Sequence, residues 1–112
     1  MAIDAAIRAI AHPGRRAMLR LVWDAELSAG ELADRTGMTK PAASQHLKLL
    51  LGADLMQVRT EAHRRMYRVN VPRVREVQQF LDAFWEDKLS QLQRTAEARH
   101  RRRDSAGERP SP

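Results

Sequence analysis

The stretch SAGELADRTGMTKPAASQHLKLL, residues 28–50, packs several backbone signals into a short span. Ser28 followed three residues later by Glu31 is the capping-box pattern that opens a helix, and Leu32 and Ala33 supply its inward side. Gly37 is suited to the left-handed residue that closes it. Thr39 then caps a further helix, with Pro41 in the first turn, where its missing N–H costs little. Two short helices, ending near Thr36 and running over 40–51, with a glycine-containing turn of about three residues between them, make a helix-turn-helix.

The rest of the chain frames that unit. Ile3, Ala6, Ile7 and Ile10 fall at helical spacing and predict a short amphipathic helix over 3–11, which His12-Pro13-Gly14 ends. Pro13 suits the opening of a second helix over 13–26, with Met18, Leu19, Val22 and Trp23 as its buried stripe. After Leu55 the pattern changes: 55–59 and 65–69 are short β-competent runs separated by Thr60–Arg64, which predicts a hairpin. Pro72 opens a long helix over 72–98, with Val74, Val77, Phe80, Leu81, Phe84, Trp85, Leu89 and Leu92 at three-four spacing. Residues 99–112 lack apolar periodicity and are expected to form a disordered basic tail. The expected fold is therefore mainly α with a small β-hairpin, a winged helix-turn-helix of order α-α-α-α-β-β-α occupying residues 1–98.

At 112 residues the chain is the size of one domain. It has no cysteine, which removes disulfides, thiolate metal sites and cysteine nucleophiles together. The opening MAIDAAIRAIAH carries an acid and no long apolar run, so neither a signal peptide nor a membrane span is expected, and the protein is read as cytoplasmic. The formal charge of +6 is unevenly spread. Residues 39–70 hold Lys40, Lys48, Arg59, Arg64, Arg65 and Arg68 against Asp54 and Glu61, an excess of +4, whereas residues 71–98 carry −1. The middle of the chain is thus the part suited to a polyanion, with solvated surface charge as the plain alternative.

GELADRTGMTKPAASQHLKLL resembles the core of the ArsR-type bacterial repressors, AIAHPGRRAMLRLV is similar to that family's opening, and MYRVN to the end of its wing. The resemblance covers about residues 5–92. It implies a homodimeric, cytoplasmic transcriptional repressor that binds an inverted-repeat operator on double-stranded DNA and leaves it on an inducing signal, here unknown. Three positions depart from the family pattern. Asp54 stands where glycine is usual after the recognition helix, Ala62 or His63 where the wing turn often has glycine, and Leu51 where a basic residue is common. A left-handed or Asx-type conformation at Asp54 is the expected substitute.

A recognition helix must bury one face and offer the other to base edges. In the 40–51 helix Ala43, Leu47 and Leu50 share one face, leaving Lys40, Pro41, Ser44, Gln45 and Lys48 on or near the other. Gln45 is equipped for paired hydrogen bonds to adenine, Ser44 for base or phosphate, and the carbons of Thr39 and Pro41 for a thymine methyl. The side taken by His46 stays open, between phosphate contact and packing on the neighbouring helix. Phosphate contacts are expected from Lys40, Lys48, His63, Arg64 and Arg65, with Arg15 and Arg16 as outer candidates. The aromatic stripe of the last helix exceeds what one small domain needs for its core. Phe80, Phe84, Trp85 and Leu89, with Ile3, Ile7 and Ile10, are the expected dimer interface.

Other functions fit the residues less well. A metal-responsive repressor would need His and carboxylate ligands. Asp82, Glu86 and Asp87 lack a nearby histidine, and Glu97-x-x-His100 sits among cation-repelling arginines, so no metal and no cofactor is expected. An enzyme is disfavoured: there is no phosphate-binding glycine loop, and Ser44 and His46, two apart on a helix, do not face each other. An RNA- or protein-binding winged domain is the remaining alternative, but the deep, narrow groove of A-form RNA excludes a helix.

Overall fold

The computed structural model describes residues 3–105. The elements are α1 (Ile3–Ile10), α2 (Pro13–Leu21), β1 (Leu27–Ser28), α3 (Ala29–Thr36), α4 (Lys40–Gly52), β2 (Met56–Glu61), β3 (Arg64–Val69) and α5 (Val71–Ser105). They fall into two units, one up to Val77 and one from Gln78 onward.

In the first unit the local signals act as the side-chain chemistry requires. Glu31 N–H donates to Ser28 Oγ at 3.2 Å and Ser28 N–H to Glu31 Oε1 at 2.8 Å, so two orphan donors of α3 are satisfied reciprocally. Gly37 closes α3 at φ 75°, a backbone state that costs other residues a Cβ clash. Thr39 Oγ1 accepts from Ala42 N–H at 3.2 Å and caps α4. Met18, Val22, Leu32, Leu50, Leu55 and Met56 form the fully buried centre, drawn from α2, α4, the segment that follows each of them, α3 and β2.

The wing is an antiparallel sheet of order β1-β3-β2. Leu27 pairs with Tyr67, Met56 with Val69 and Glu61 with Arg64, leaving a two-residue turn at Ala62-His63. The strands are longer and the turn tighter than the expected 55–59 and 65–69. Ala62 takes the positive φ of 55° that the missing glycine would have supplied more cheaply. Strand β1 was not foreseen, being too short to carry a period. Strand β3 also reaches the end of α2. The helix stops at Leu21 instead of 26, because Val22 C=O turns to accept Val69 N–H at 3.1 Å across the chain. Trp23, expected in the buried stripe, is consequently left 55% exposed.

At the exit of α4, Asp54 adopts φ 63°, as expected where glycine is absent. This sharp turn aims three carbonyls at the start of α5. Asn70 Nδ2 donates to Asp54 C=O at 2.9 Å, Asn70 N–H to Leu55 C=O at 2.8 Å, and Arg73 Nε to Ala53 C=O at 3.2 Å. Both donors are buried, and Arg73 also pairs with Glu76 at 3.3 Å.

The second unit is the remainder of α5. The helix was expected to end at 98, with 99–112 disordered; instead it continues to Ser105. Glu, Ala and Arg in 94–103 are good helix formers even without an apolar face, and Arg102 and Arg103 suit the negative end of the helix dipole. Residues 106–112 lie outside the described residues. Along this helix Phe80, Phe84, Trp85, Leu89 and Leu92 are exposed, with the rings of Phe84 and Trp85 edge to face at 5.1 Å.

Replacing Asn70 by alanine removes the donor to a turn that no local residue can cap. Asn70→Ala is expected to lower the unfolding free energy by about 1–3 kcal/mol in urea titration, the cost of an unsatisfied buried polar group.

Candidate nucleic-acid interface

Helix α4 divides its circumference cleanly. At 3.6 residues per turn, the buried Ala43, Leu47 and Leu50 fall within an arc of about 60°. Pro41, Ser44, Gln45 and Lys48, all exposed, occupy an arc of about 100° on the other side. Thr39 and Lys40 are exposed at the N-terminal end. The free face therefore offers an amide, a hydroxyl and two ammonium groups, a set able to hydrogen-bond bases and pair with phosphates.

His46 sits between the two arcs and packs toward α2. Its ring lies 4.6 Å from that of His12, and its Nδ1 is 3.3 Å from Arg15 Nη1. Partial burial, followed by the nearby His12 and Arg15, holds its pKa below the ordinary histidine value. His12 in turn accepts Gly14 N–H through Nδ1 at 2.9 Å and so caps α2. His46 thus lies on the α2 side of α4, partly exposed.

Arg15 and Arg16 are structural ties. Arg15 donates from Nε to Ala9 C=O at 2.7 Å and from Nη2 to Arg8 C=O at 3.2 Å. Arg16 Nη1 reaches Ile10 C=O at 2.8 Å and Ala11 C=O at 3.0 Å. Together they satisfy the free carbonyls at the end of α1 and lock it to α2.

The wing carries its cations differently. Arg59 is held by Glu26, through Nε at 2.8 Å, and by Glu61 at 3.0 Å. The bond from Arg59 lowers the pKa of Glu26, and that from Glu26 raises the pKa of Arg59. Arg64 Nη2 donates at 3.0 Å to Glu31 Oε1, the same oxygen that accepts Ser28 N–H, so the wing is fastened to the cap of α3. The Ser28 bonds, ahead of Arg64, hold Glu31 below the usual carboxylate range. His63 and Arg65 are exposed near the turn, and no ion pair engages them among the described residues. Glu26 and Glu31 were missed as anchors of the wing arginines. The Arg59–Glu26 and Arg64–Glu31 pairs each span 33 residues, and no local spacing announces them.

Among the described residues no three His, Asp or Glu side chains come together to hold a metal, and no helix is long and apolar enough to cross a membrane.

Residues 10–59 match the family model for a helix-turn-helix domain. A helix-turn-helix-type transcriptional regulator of Mycobacterium tuberculosis is 37% identical over 82 residues, covering 73% of this chain and 77% of that protein. This chain belongs to the ArsR-type winged helix-turn-helix transcriptional regulators. The transcriptional activator HlyU of Vibrio cholerae is 33% identical over 75 residues, 67% of this chain and 69% of its own. A solved "possible transcriptional regulator for arsenical resistance" superposes with TM-score 0.66 at 30% identity, covering 76% of this chain and 88% of that one. A homodimeric winged helix-turn-helix DNA-binding domain from Mycobacterium bovis shares the fold, with TM-score 0.62 at 24% identity over 80% and 82% of the two chains. Relatives and fold are those of transcriptional regulators, which are not enzymes. In such a regulator the α3–α4 pair is the helix-turn-helix and β2–β3 the wing.

Because the folded-state pKa of His46 is depressed, the unfolded chain binds the extra proton first as pH falls. The contribution of His46 to stability is present above the ordinary histidine pKa of about 6.5 and is lost below it. Thermal melts should show the midpoint dropping between neutral pH and pH 5, and His46→Gln should flatten that fall.

Proposed function

We propose that this regulator is a homodimeric repressor that binds an inverted-repeat operator through α4 and the wing. The observation that carries the reading is the exposure of Ser44, Gln45 and Lys48 together, opposite the buried Ala43, Leu47 and Leu50. A helix so divided seats in a major groove with its scaffold behind it. Gln45 and Ser44 read base edges, with the carbons of Thr39 and Pro41 beside them. Lys40, Lys48, His63 and Arg65 hold phosphates, and Arg64 joins them by exchanging its solvent-exposed pair with Glu31. Arg15 and Arg16 leave this set, since their donors serve α1.

One winged domain reads one half-site, so tight operator binding calls for two copies. The exposed stripe of Phe80, Phe84, Trp85 and Leu89 spans about 180° of the helix, a contiguous apolar surface of the kind that marks an association site. It is the surface for the second copy, with the half-buried Ile3, Ile7 and Ile10 of α1 as further contacts. The homodimeric M. bovis domain of the same fold supports that assembly. Repression follows from occupancy alone, since a dimer on promoter DNA excludes polymerase. The protein acts where chromosomal DNA lies, in the cytoplasm. One relative is named an activator, so the sign of regulation is the part that a reporter fused to the recovered operator decides.

Selection of bound fragments from genomic DNA should recover an inverted repeat. Against it, Gln45→Ala should lose about 1–3 kcal/mol of discrimination at one base pair per half-site while keeping its affinity for random duplex. Arg65→Ala should weaken all duplexes alike and reduce the log-affinity slope against log salt by about 0.9 per domain. Equal losses on operator and random DNA for both would contradict the assignment.

Light scattering of the full chain at micromolar concentration should report a dimer. Trp85→Glu with Phe84→Glu should give a monomer whose melt retains the first unit.

A further inference from the structure

Beside α4 lies a cavity of about 510 Å³ walled by α1, by Arg15 of α2, and by the C-terminal end of α4 with Ala53 after it. Its volume falls within the range that holds small ligands. The lining is of two kinds. Ala5, Ala9 and Ala53 make an apolar floor, and Leu49, 48% exposed on α4, adds an uncovered isobutyl group. Around this floor stand Arg8, Arg15 and Lys48, with no acid among the lining residues. Arg15 is already bonded to α1 and approaches His46, which fixes its position. Arg8 and Lys48 have side chains that no hydrogen bond or ion pair engages among the described residues. Three like charges around a greasy floor repel one another and leave apolar surface wet. Both costs are relieved at once by a molecule with an anionic head and an apolar body.

We propose that this cavity is an effector site for a small organic carboxylate with an aliphatic chain, and that its occupancy releases the protein from DNA. The carboxylate pairs with Arg8 and Lys48, and the chain covers Leu49 and the alanine floor. Release rests on the DNA reading above: Lys48 is needed by phosphate and ligand alike, and a carboxylate that neutralises it removes one contact from each half-site. Because the ligand touches α4 through Lys48 and Leu49, the two occupants compete through the recognition helix itself.

Gly52 offers a position from which the cavity can be blocked. It lines the cavity, its φ is not positive, and a Cβ there meets nothing within 4 Å. A side chain at Gly52 therefore has room, and Gly52→Leu places an isobutyl group in the space beside Lys48.

The test is calorimetric titration of the full chain with sodium octanoate, with octanol as the uncharged probe, followed by anisotropy on the recovered operator. Saturable octanoate binding is expected, at least tenfold tighter than octanol. Arg8→Gln, at a residue given no part in DNA binding, should weaken it at least fivefold with unchanged operator affinity, and Gly52→Leu should abolish it with the fold retained. Saturating octanoate should weaken operator binding at least threefold in the natural protein and leave Gly52→Leu unaffected. Absence of saturable binding, equal binding of octanol, or full binding by Gly52→Leu overturns the site. Octanoate binding that leaves operator affinity unchanged overturns its role in release. A chain that binds octanoate but no duplex DNA overturns the function proposed above and with it the release step, while the cavity's ligand stands.

Discussion

The seating of Ala43, Leu47 and Leu50 against the first unit's core governs the functional surface, because those three side chains fix both the rotation and the height of α4. A rotation of one residue, about 100°, would carry Ser44 toward the core and bring a leucine to solvent. Interior packing is dense enough that such a slip costs several kcal/mol, so the polar arc is held rigidly by groups that never meet a ligand. The capping box at Ser28 and the left-handed Gly37 serve the same end from the other side, setting where α3 begins and where it lets go.

The polar interactions around α4 follow from that constraint. Its exit is so sharp, through Asp54 at φ 63°, that Ala53, Asp54 and Leu55 cannot return their carbonyls to the helix. Asn70 and Arg73 accept the task from the opening of α5. At the other flank His46, Arg15 and His12 form a small cluster that joins α4 to the α1–α2 corner. Ion pairs at Glu26 and Glu31 tie the wing arginines to the rest of the first unit without burying charge. The structure thus spends its strong, buried hydrogen bonds on scaffold and leaves its cations of the free face unengaged.

Much of this was legible from spacing alone. Ser28–Glu31, Gly37, Thr39 and Pro41 act within four residues of themselves, so their caps and turns could be read directly, and so could the two faces of α4. What escaped was set by distant partners. Trp23 fits a helical stripe, yet Val69 draws the backbone of Val22 away into the sheet and ends the helix first. Arg15 and Arg16 look like free cations until the crossing of α1 over α2 brings carbonyls from five to seven residues upstream within their reach. Residues 99–105 carry no apolar period, but period reports burial, and a solvated helix needs only good helix formers. The site cavity, too, arises from α1 and α4 meeting across some forty residues of sequence, a contact no local pattern encodes.

On the proposed function, the exposed arc of α4 and the wing turn contact DNA while the flank at His46 does not. Titrating the isotope-labelled full chain with the recovered operator duplex and following amide and side-chain resonances by NMR tests it directly. The largest shifts are expected at Thr39–Gln45, at Lys48 and at Ala62–Arg65, with the Gln45 side-chain amide among them and the His12 and His46 ring signals little changed. Shifts concentrated instead on α2 or on the His12–His46 flank, with the Gln45 amide unmoved, would contradict it.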